Sequence, residues 1–570
     1  MYTSFVDGLV FERSEFFREH PGAIRLLFYY DDVEIVNPLG SKTGVHKIAA
    51  FYVIIMNFSL NSQLASIHTV LLCYEQDLKK YGFPIVLREF MNDITTLENG
   101  VEMFFDGEPF MVYATIAVVN ADSLAAHALF NLLSPSAKKF CRLCTISRDD
   151  LQSGHVLPAA PRTQEVYEQH LAFVKENLGD AARRTETGVA GDCVLHSSCN
   201  FRLYNNWVLD ILHDLFEGVV QYSLKLVIHE YVIVQKLCSV EDLNRSVHSF
   251  NYGFTDVKNK PSANFSGSSL RNLTDHTLKQ KGAQVWCLLR IFPFLFNDLI
   301  EQGDEHMELV LLLIRIVEIL VAPKIPRSIL PYLEEMIVDY LELFRELFPN
   351  MPLLNKHHHL AHYPECIRQT GPPVLTWCMR FEGANALLNR HGKVMCNFRN
   401  APKTLVRIGQ FQQMETWGHG RYNVKRVSSS QGSSVEVISL VCAQRLKNLG
   451  FKDSDKVFST AEVSVKGTKY RLSMFVCVKT KSRDDGDLPI FGKIKEIIII
   501  HQDLVFFLVS LHIPAGFDPD LHAYPVLKSS PGDRTEFLSI EQLADFKPLS
   551  ARSSPKESDR VFLSFHHLVA

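Results

Sequence analysis

Between Ile24 and Gly40 the chain reads IRLLFYYDDVEIVNPLG, which sets Asp31, Asp32 and Glu34 into a run whose β-branched and aromatic residues belong in a buried strand. A buried carboxylate is costly unless a cation, a hydrogen-bond donor or water meets it, so this stretch dictates what the rest of the chain must supply. Side chains alternate across a strand, which puts Asp32 and Glu34 on one face and Asp31 on the other. Solvated acids at a strand end before the Asn-Pro turn would read the same way, and the stretch alone leaves both readings open.

The next hundred residues give the acids a context. Residues 47–58 (KIAAFYVIIMNF) and 66–73 (SIHTVLLC) read as a second and third strand of an antiparallel meander. Residues 77–100 show a helical apolar face through Leu87, Phe90, Met91 and Ile94, and 110–120 (FMVYATIAVVN) is a fourth strand ending beside Asp122. Strand, strand, strand, helix, strand, with one acid on the first strand and another just after the fourth, is the layout of a ribonuclease H-like fold.

At 570 residues the chain exceeds a single core and predicts roughly three or four domains. Hydrophobic residues at 46% exclude a disordered chain. A net charge of −4 leaves no chain-wide footprint for nucleic acid, so any DNA contact has to come from a local basic surface. Twelve scattered cysteines and no signal-peptide pattern point to a reducing, intracellular setting. The apolar run 307–322 carries Glu308, Arg315 and Glu318, which makes it a buried helix and not a membrane span. The first strand begins so early that little room is expected for a preceding domain.

Residues 145–187 are polar, with a helical patch at 165–176, and read as an insertion or linker. Residues 206–348 are helical in pattern, interrupted by a loop at 253–269. SSSQGSS at 428–434 reads as a linker, and strands at 470–478, 490–500, 504–512 and 560–568 suggest a β-rich end. The fold expectation is therefore α/β: a ribonuclease H-like core (1–145 and 351–427), split by a zinc-linker and all-helical insertion (146–350), followed by a small β-rich domain (435–570).

YYDDVEIVNPLGSKTGVHK (29–47), VVNADSLAAHAL…FCRLC (118–144), DILHDLFEGV (210–219), KHHHLAHYP (356–364) and WCMRFEGANALLNRHGKVMCNFRNAPKTL (377–405) stand in an order that resembles the CACTA (En/Spm) superfamily of transposases in its animal-type form. The resemblance covers about residues 24–415. It implies a transposon-derived protein with a DDE catalytic triad on Asp32, Asp122 and Glu382, with Asp31 and Glu34 as alternative positions for the first acid. It also implies Mg²⁺ or Mn²⁺ as cofactor, double-stranded DNA as partner, DNA recombination in the nucleus and no membrane; a homo-oligomer is compatible with it. Hard divalent ions take oxygen ligands, and two of them can serve both sides of a phosphoryl transfer. The expected activity is DNA strand cleavage and strand transfer, incomplete without an N-terminal DNA-binding region; the alternative is a catalytically inactive DNA- or protein-binding derivative. Ala121-Asp122-Ser123 and Gly383-Ala384-Asn385 depart from the family's neighbours of the second and third acids, which puts the support of those acids, and with it activity, in question.

Other groupings carry chemistry of their own. Asp210 and His213 lie one helical turn apart, with Glu217 a turn further, and resemble a Cys-or-Asp, two residues, His motif of related transposases; a structural polar pair fits equally. Cys141-Arg-Leu-Cys144 together with Cys193-Val-Leu-His196 would complete a tetrahedral zinc site, with Cys199 able to replace His196. The run His357, His358, His359 and His362 invites a metal reading, but its place in the resemblance favours structural or DNA-backbone contact. Arg380, Arg390, Lys393, Arg399 and Lys403 form a basic stripe near Glu382 suited to a phosphate backbone.

Overall fold

The aromatic run at the start of the chain forms a long strand, β1 (Ile24–Glu34), in the computed structural model, which describes residues 1–35, 47–58, 67–177, 179–395, 399–418, 427–429, 432–481, 488–501, 503–528, 534–554 and 557–565. The Asn-Pro-Leu-Gly next to this strand lies outside the described residues. The protein is mixed α/β and divides into two compact units, Met1–Ser223 with Leu312–Gly420, and Leu224–Leu311 with Arg421–Leu568. The expected all-helical insertion is thus shared between the units, and its part 224–311 belongs with the β-rich end of the chain.

In the first unit β2 (Lys47–Ile55) runs antiparallel to β1, and β3 (Ile67–Tyr74) antiparallel to β2. Before the sheet is completed, the chain forms helix α1 (Arg88–Asn99), then a hairpin, β4 (Val101–Phe105) and β5 (Glu108–Val112), then β6 (Ala114–Ala121), which lies parallel to β1. The sheet order is β3-β2-β1-β6. Two expectations are corrected here. The helix predicted over 77–100 is interrupted by Gly82, at φ 75°, and Pro84. The strand predicted over 110–120 is divided at Tyr113 between two strands: its first part, β5, turns back on β4 through the positive-φ residues Asp106-Gly107, and its second part, β6, joins β1.

β1 lies between β2 and β6, and the β1–β6 pair is buried on both faces, as the apolar sequence of β6 requires. On one face Phe28, Tyr30 and Phe51 pack with Leu87, Met91, Ile94, Phe130 and Trp207. On the other, Tyr29 stacks at 4.0 Å on Phe381, which belongs to the long helix Met379–Met395. Each such buried aromatic contributes about 2–3 kcal/mol. The polar stretch 145–187, expected to be a linker, contains the helices Arg148–Ser153, Gln164–Lys175 and Ala181–Thr187, and its sparse apolar residues Leu151, Tyr167 and Val174 are buried.

The remaining helices that matter are α2 (Ser123–Leu129), directly after β6, α3 (Asn355–Leu360), α4 (Tyr363–Thr370), α5 (Met379–Met395) and α6 (Ala401–Gly418). Helix α5 approaches the end of β1 so closely that a Cβ on Gly392 would stand 2.8 Å from the Ile35 carbonyl oxygen. Gly392→Val is therefore expected to cost about 1–3 kcal/mol by overpacking. Gly383→Ala on the same helix, with open space around it, should be neutral or stabilising; equal melting temperatures for the two variants would refute the close packing.

In the second unit a seven-stranded sheet includes Thr535–Ser539, Leu504–His512, Leu488–Ile500, Phe475–Lys481 and Asp545–Leu549, around Val476, Ile494, Ile497, Phe507 and Val509. The expected linker 428–434 is strand in its described parts, Val427–Ser429 pairing with Glu462–Val465 and Gly432–Glu436 with Lys456–Thr460. Small Ser and Gly side chains leave the backbone free to join a ladder. No helix among the described residues is long and apolar enough to cross a membrane.

Candidate acidic site and metal centre

Parallel pairing of β1 with β6 sets Tyr30 beside Ala121, so Asp31, still within β1, and Asp122, just past the end of β6, follow the last paired residues of the two strands. Asp31 accepts from the Asp32 amide at 2.7 Å and from Asn385 Nδ2 at 2.7 Å, and the Asn385 amide is oriented by the Tyr52 hydroxyl, which donates to its Oδ1 at 2.8 Å. Asp122 caps α2, accepting from the Ala125 amide at 2.6 Å. Glu382 sits one turn before Asn385 on α5. Burial, followed by the charges of Glu382 and Asp122, pushes the Asp31 carboxyl up to about 7. Desolvation also raises Glu382, although the residue is exposed to solvent, which weakens the effect; His213 opposes it, and Glu217 and Asp210 add to it.

Asp32 is on the opposite face. Its carboxylate takes the Tyr30 hydroxyl at 2.9 Å and Lys47 Nζ at 3.2 Å, and Glu34 stands across from Lys47 in the strand register. Of the three acids in the opening strand, Asp31 is the one whose carboxyl feels the charges of Glu382 and Asp122, and Asp32, the favoured first acid, is neutralised by lysine.

Asp210 and His213 meet as the spacing suggests. His213 Nδ1 donates to Asp210 Oδ2 at 2.6 Å and its amide donates to the same oxygen at 2.9 Å, while Asp210 Oδ1 accepts from the Cys378 amide at 2.6 Å. The pair therefore ties the π-helical segment Leu212–Val219 to the start of α5. Burial works against the imidazolium, but Asp210, Glu217 and Asp122 raise His213 to about 9, so a cation stands among the acids at neutral pH.

Among the described residues, side chains that bring three or more ligand atoms within 4.8 Å of one another are Asp210, His213 and Cys378, and a second set, Cys141, Cys144, His358 and His362. Asp31, Asp122 and Glu382 are not such a set. The second set is buried and could hold a metal such as zinc. Cys141 Sγ lies 3.4 Å from His362 Nε2, Cys144 Sγ 3.2 Å from His358 Nε2, and the two Nε2 atoms are 3.0 Å apart. Tetrahedral zinc with two sulfur and two nitrogen ligands places such atoms about 3.3–3.6 Å apart, close to these distances. His358 Nδ1 donates to the Val156 carbonyl at 2.9 Å, which leaves Nε2 as the lone-pair nitrogen a metal requires. Burial opposes the Cys141 thiolate, yet the Cys144 thiol and the two histidines hold Cys141 well below the usual thiol range.

The zinc set predicted from spacing is thus half corrected. Cys141 and Cys144 are present; Cys193 and His196 are elsewhere. Cys193 is in the core with Sγ 3.8 Å from the Leu129 carbonyl, its thiol pushed up to about 12 by burial, and the His196 ring packs on Tyr167 at 5.1 Å. Their places are taken by His358 and His362 from the histidine run, for which structural or DNA contact was expected. The remaining two histidines of the run are also buried. The His-x-x-x-His spacing was the available signal; His358 is on α3 and His362 in the turn before α4.

Of the basic stripe, Arg380 is turned inward, donating to the Leu375 carbonyl at 3.1 Å, and burial lowers it to about 10. Arg390, Lys393, Arg399 and Lys403 are exposed on α5, α6 and the turn between them. Asn385 and Tyr52 are site residues that sequence reasoning passed over. No protein-family model and no curated protein matches the chain.

Proposed function

We propose that the chain is a transposon-derived protein of the CACTA (En/Spm) type, with a ribonuclease H-like core around β1 and β6, and that its acidic site cleaves and transfers DNA strands. The observation that carries this reading is the position of Asp31, on β1 where its parallel pairing with β6 ends, close enough to Asp122 and Glu382, acids from two other segments, for their charges to add to burial in raising its carboxyl. Carboxylate oxygens are the ligands a hard divalent ion takes, and burial together with the neighbouring acids, which raise Asp31 to about 7, would favour such an ion beside it. Mg²⁺ or Mn²⁺ held by these acids would supply the charge for in-line displacement at a phosphodiester, by water and then by a freed 3′-hydroxyl. Asn385 fixes the Asp31 carboxylate, His213 balances the negative charge, and Arg390, Lys393, Arg399 and Lys403 are the candidates for the DNA backbone. Double-stranded DNA in the nucleus is the partner this reading requires.

One observation favours a second reading, a catalytically inactive DNA- or protein-binding derivative: Asp31 already has both oxygens engaged, Asp122 is spent on a helix cap, and the three acids are not within ligand distance of one another. Supercoiled DNA with Mg²⁺ or Mn²⁺ separates the two. Cleavage is expected to fall by about a hundredfold or more in Asp31→Asn and Asp122→Asn and to persist in Asp32→Asn. Nicking indifferent to Asp31 and Asp122 rejects the acid assignment. Salt-dependent binding without nicking, weakened by Arg390→Ala, selects the second reading.

A further inference from the structure

One residue enclosed by each ligand pair of the metal centre acts on the same carboxylate. Arg142 stands between Cys141 and Cys144, His359 between His358 and His362; His359 hydrogen-bonds to Asp214, and the positive charge of Arg142 acts on the same carboxylate. Asp214 is 2% exposed and accepts from His359 Nδ1 at 2.8 Å and from the Tyr363 hydroxyl at 3.3 Å. Burial pushes its carboxyl up, but His359 and then Arg142 hold it below the usual range. Arg142 is 3% exposed, lies 4.3 Å over the Trp207 ring, and reaches Ser123 Oγ at 3.4 Å.

Both connections end at the acidic site. Ser123 is the neighbour of Asp122, and Asp214 comes directly after His213 in the same π-helical segment, its amide bonded to the Asp210 carbonyl at 3.0 Å. A buried carboxylate deprived of its cationic partner is costly, so the Arg142, His359 and Asp214 positions are interdependent. Those of Arg142 and His359 are set by the backbone of the metal ligands on either side.

We propose that metal occupancy of Cys141, Cys144, His358 and His362 sets the geometry of the acidic site, with Asp214 as the positioning residue that receives it through Arg142 and His359. The role of the acidic site rests on the proposed DNA-cleaving function; the coupling itself does not. With the centre filled, the Cys141–Cys144 loop and helices α3 and α4 are clamped together and Asp214 is held from both sides. With it empty, the clamp opens and the segment carrying Asp210 and His213 is released from Cys378.

Cys378 is 0% exposed with its amide on Asp210, and its thiol reports that release. The full-length protein, zinc-loaded and after chelation, is exposed to a thiol reagent and the labelled peptides are quantified by mass. Chelation is expected to raise Cys378 labelling at least about tenfold while Cys193 and Cys287 stay protected. Asp214→Asn should raise Cys378 labelling with zinc retained and Cys141 and Cys144 protected. If Cys193 and Cys287 are labelled as well, the milder Arg142→Lys decides: raised Cys378 labelling with zinc retained supports the coupling, and wild-type protection overturns it. Cys378 protection unchanged by chelation, or a protein that binds no zinc, also overturns it. Absence of DNA nicking alongside the expected labelling would remove the DNA-cleaving function and leave the coupling standing.

Discussion

His358→Ala is expected to remove one equivalent of zinc per chain and to destabilise the first unit by about 5 kcal/mol or more, since structural zinc is bound with about 10–16 kcal/mol and a folded chain has only about 5–15 in total. The reason lies in what the centre looks like without a cation. Two imidazole nitrogens 3.0 Å apart and two buried thiols must share too few protons, and burial keeps water from relieving them. The substitution removes one ligand and leaves three buried polar groups. Cys193→Ala is the matching control: its sulfur fills core space beside Leu129, so it should keep its zinc and lose only about 1–2 kcal/mol. Elemental analysis and denaturant unfolding read both quantities. Equal zinc in wild type and His358→Ala, or loss of zinc in Cys193→Ala, would return the ligand set to the one inferred from spacing. Because cysteine and histidine must shed protons to bind, zinc should also leave progressively as the pH falls below about 5.

That ligand set marks where sequence reasoning stops. Cys-x-x-Cys is a local signal and was legible, because two residues of separation fix the geometry of a loop on their own. The partner pair is not local. Cys193-x-x-His196 is nearer in sequence and has the same spacing, whereas His358 lies 214 residues beyond Cys144 in a run of histidines where no spacing rule says which of them are ligands. The same division applies to β1. Alternation correctly separated Asp31 from Asp32, since it is a property of any strand. Which face meets Glu382 depends on the stacking of Phe381 on Tyr29, a contact made by a helix about 350 residues later in the chain. By contrast, the β4–β5 turn was written locally in FFDGEPF and was missed because the apolar run after it was read as one strand. The helices within 145–187 were obscured differently: each buries only one or two residues, too few to give a periodic pattern.

Raising the pH from 4 to 9 is expected to destabilise the metal-free protein at the acidic site, and Asp31→Asn is expected to relieve much of that loss. Asp31 rises from 3.8 to about 7 and His213 from 6.5 to about 9, so in both cases the folded state holds its proton more tightly than the unfolded chain. A raised folded pKa gives stability that is complete below the unfolded value and is lost as pH passes the folded one. For Asp31 this window runs from about pH 4 to 7, and for His213 from about 6.5 to 9. A shift of three units corresponds to about 4 kcal/mol, and partial exposure of Asp31 reduces the expected gain of Asp31→Asn at pH 8 to about 2 kcal/mol. At pH 4, where the aspartic acid and the amide are both neutral, the two proteins should unfold alike. A variant less stable than wild type at pH 8 would mean that Asp31 is satisfied by Asn385 and the Asp32 amide and needs no cation. The complementary arm adds Mn²⁺: the ion can stabilise only a protein with an ionised Asp31 to offer, so it should raise the melting temperature of wild type at pH 8 and leave Asp31→Asn unchanged. Equal stabilisation of both would put the ion elsewhere. An acid that destabilises its own fold until a cation arrives belongs to a site shaped by binding, and Mn²⁺-dependent recovery of the lost stability is the property that distinguishes such a site from a merely crowded strand end.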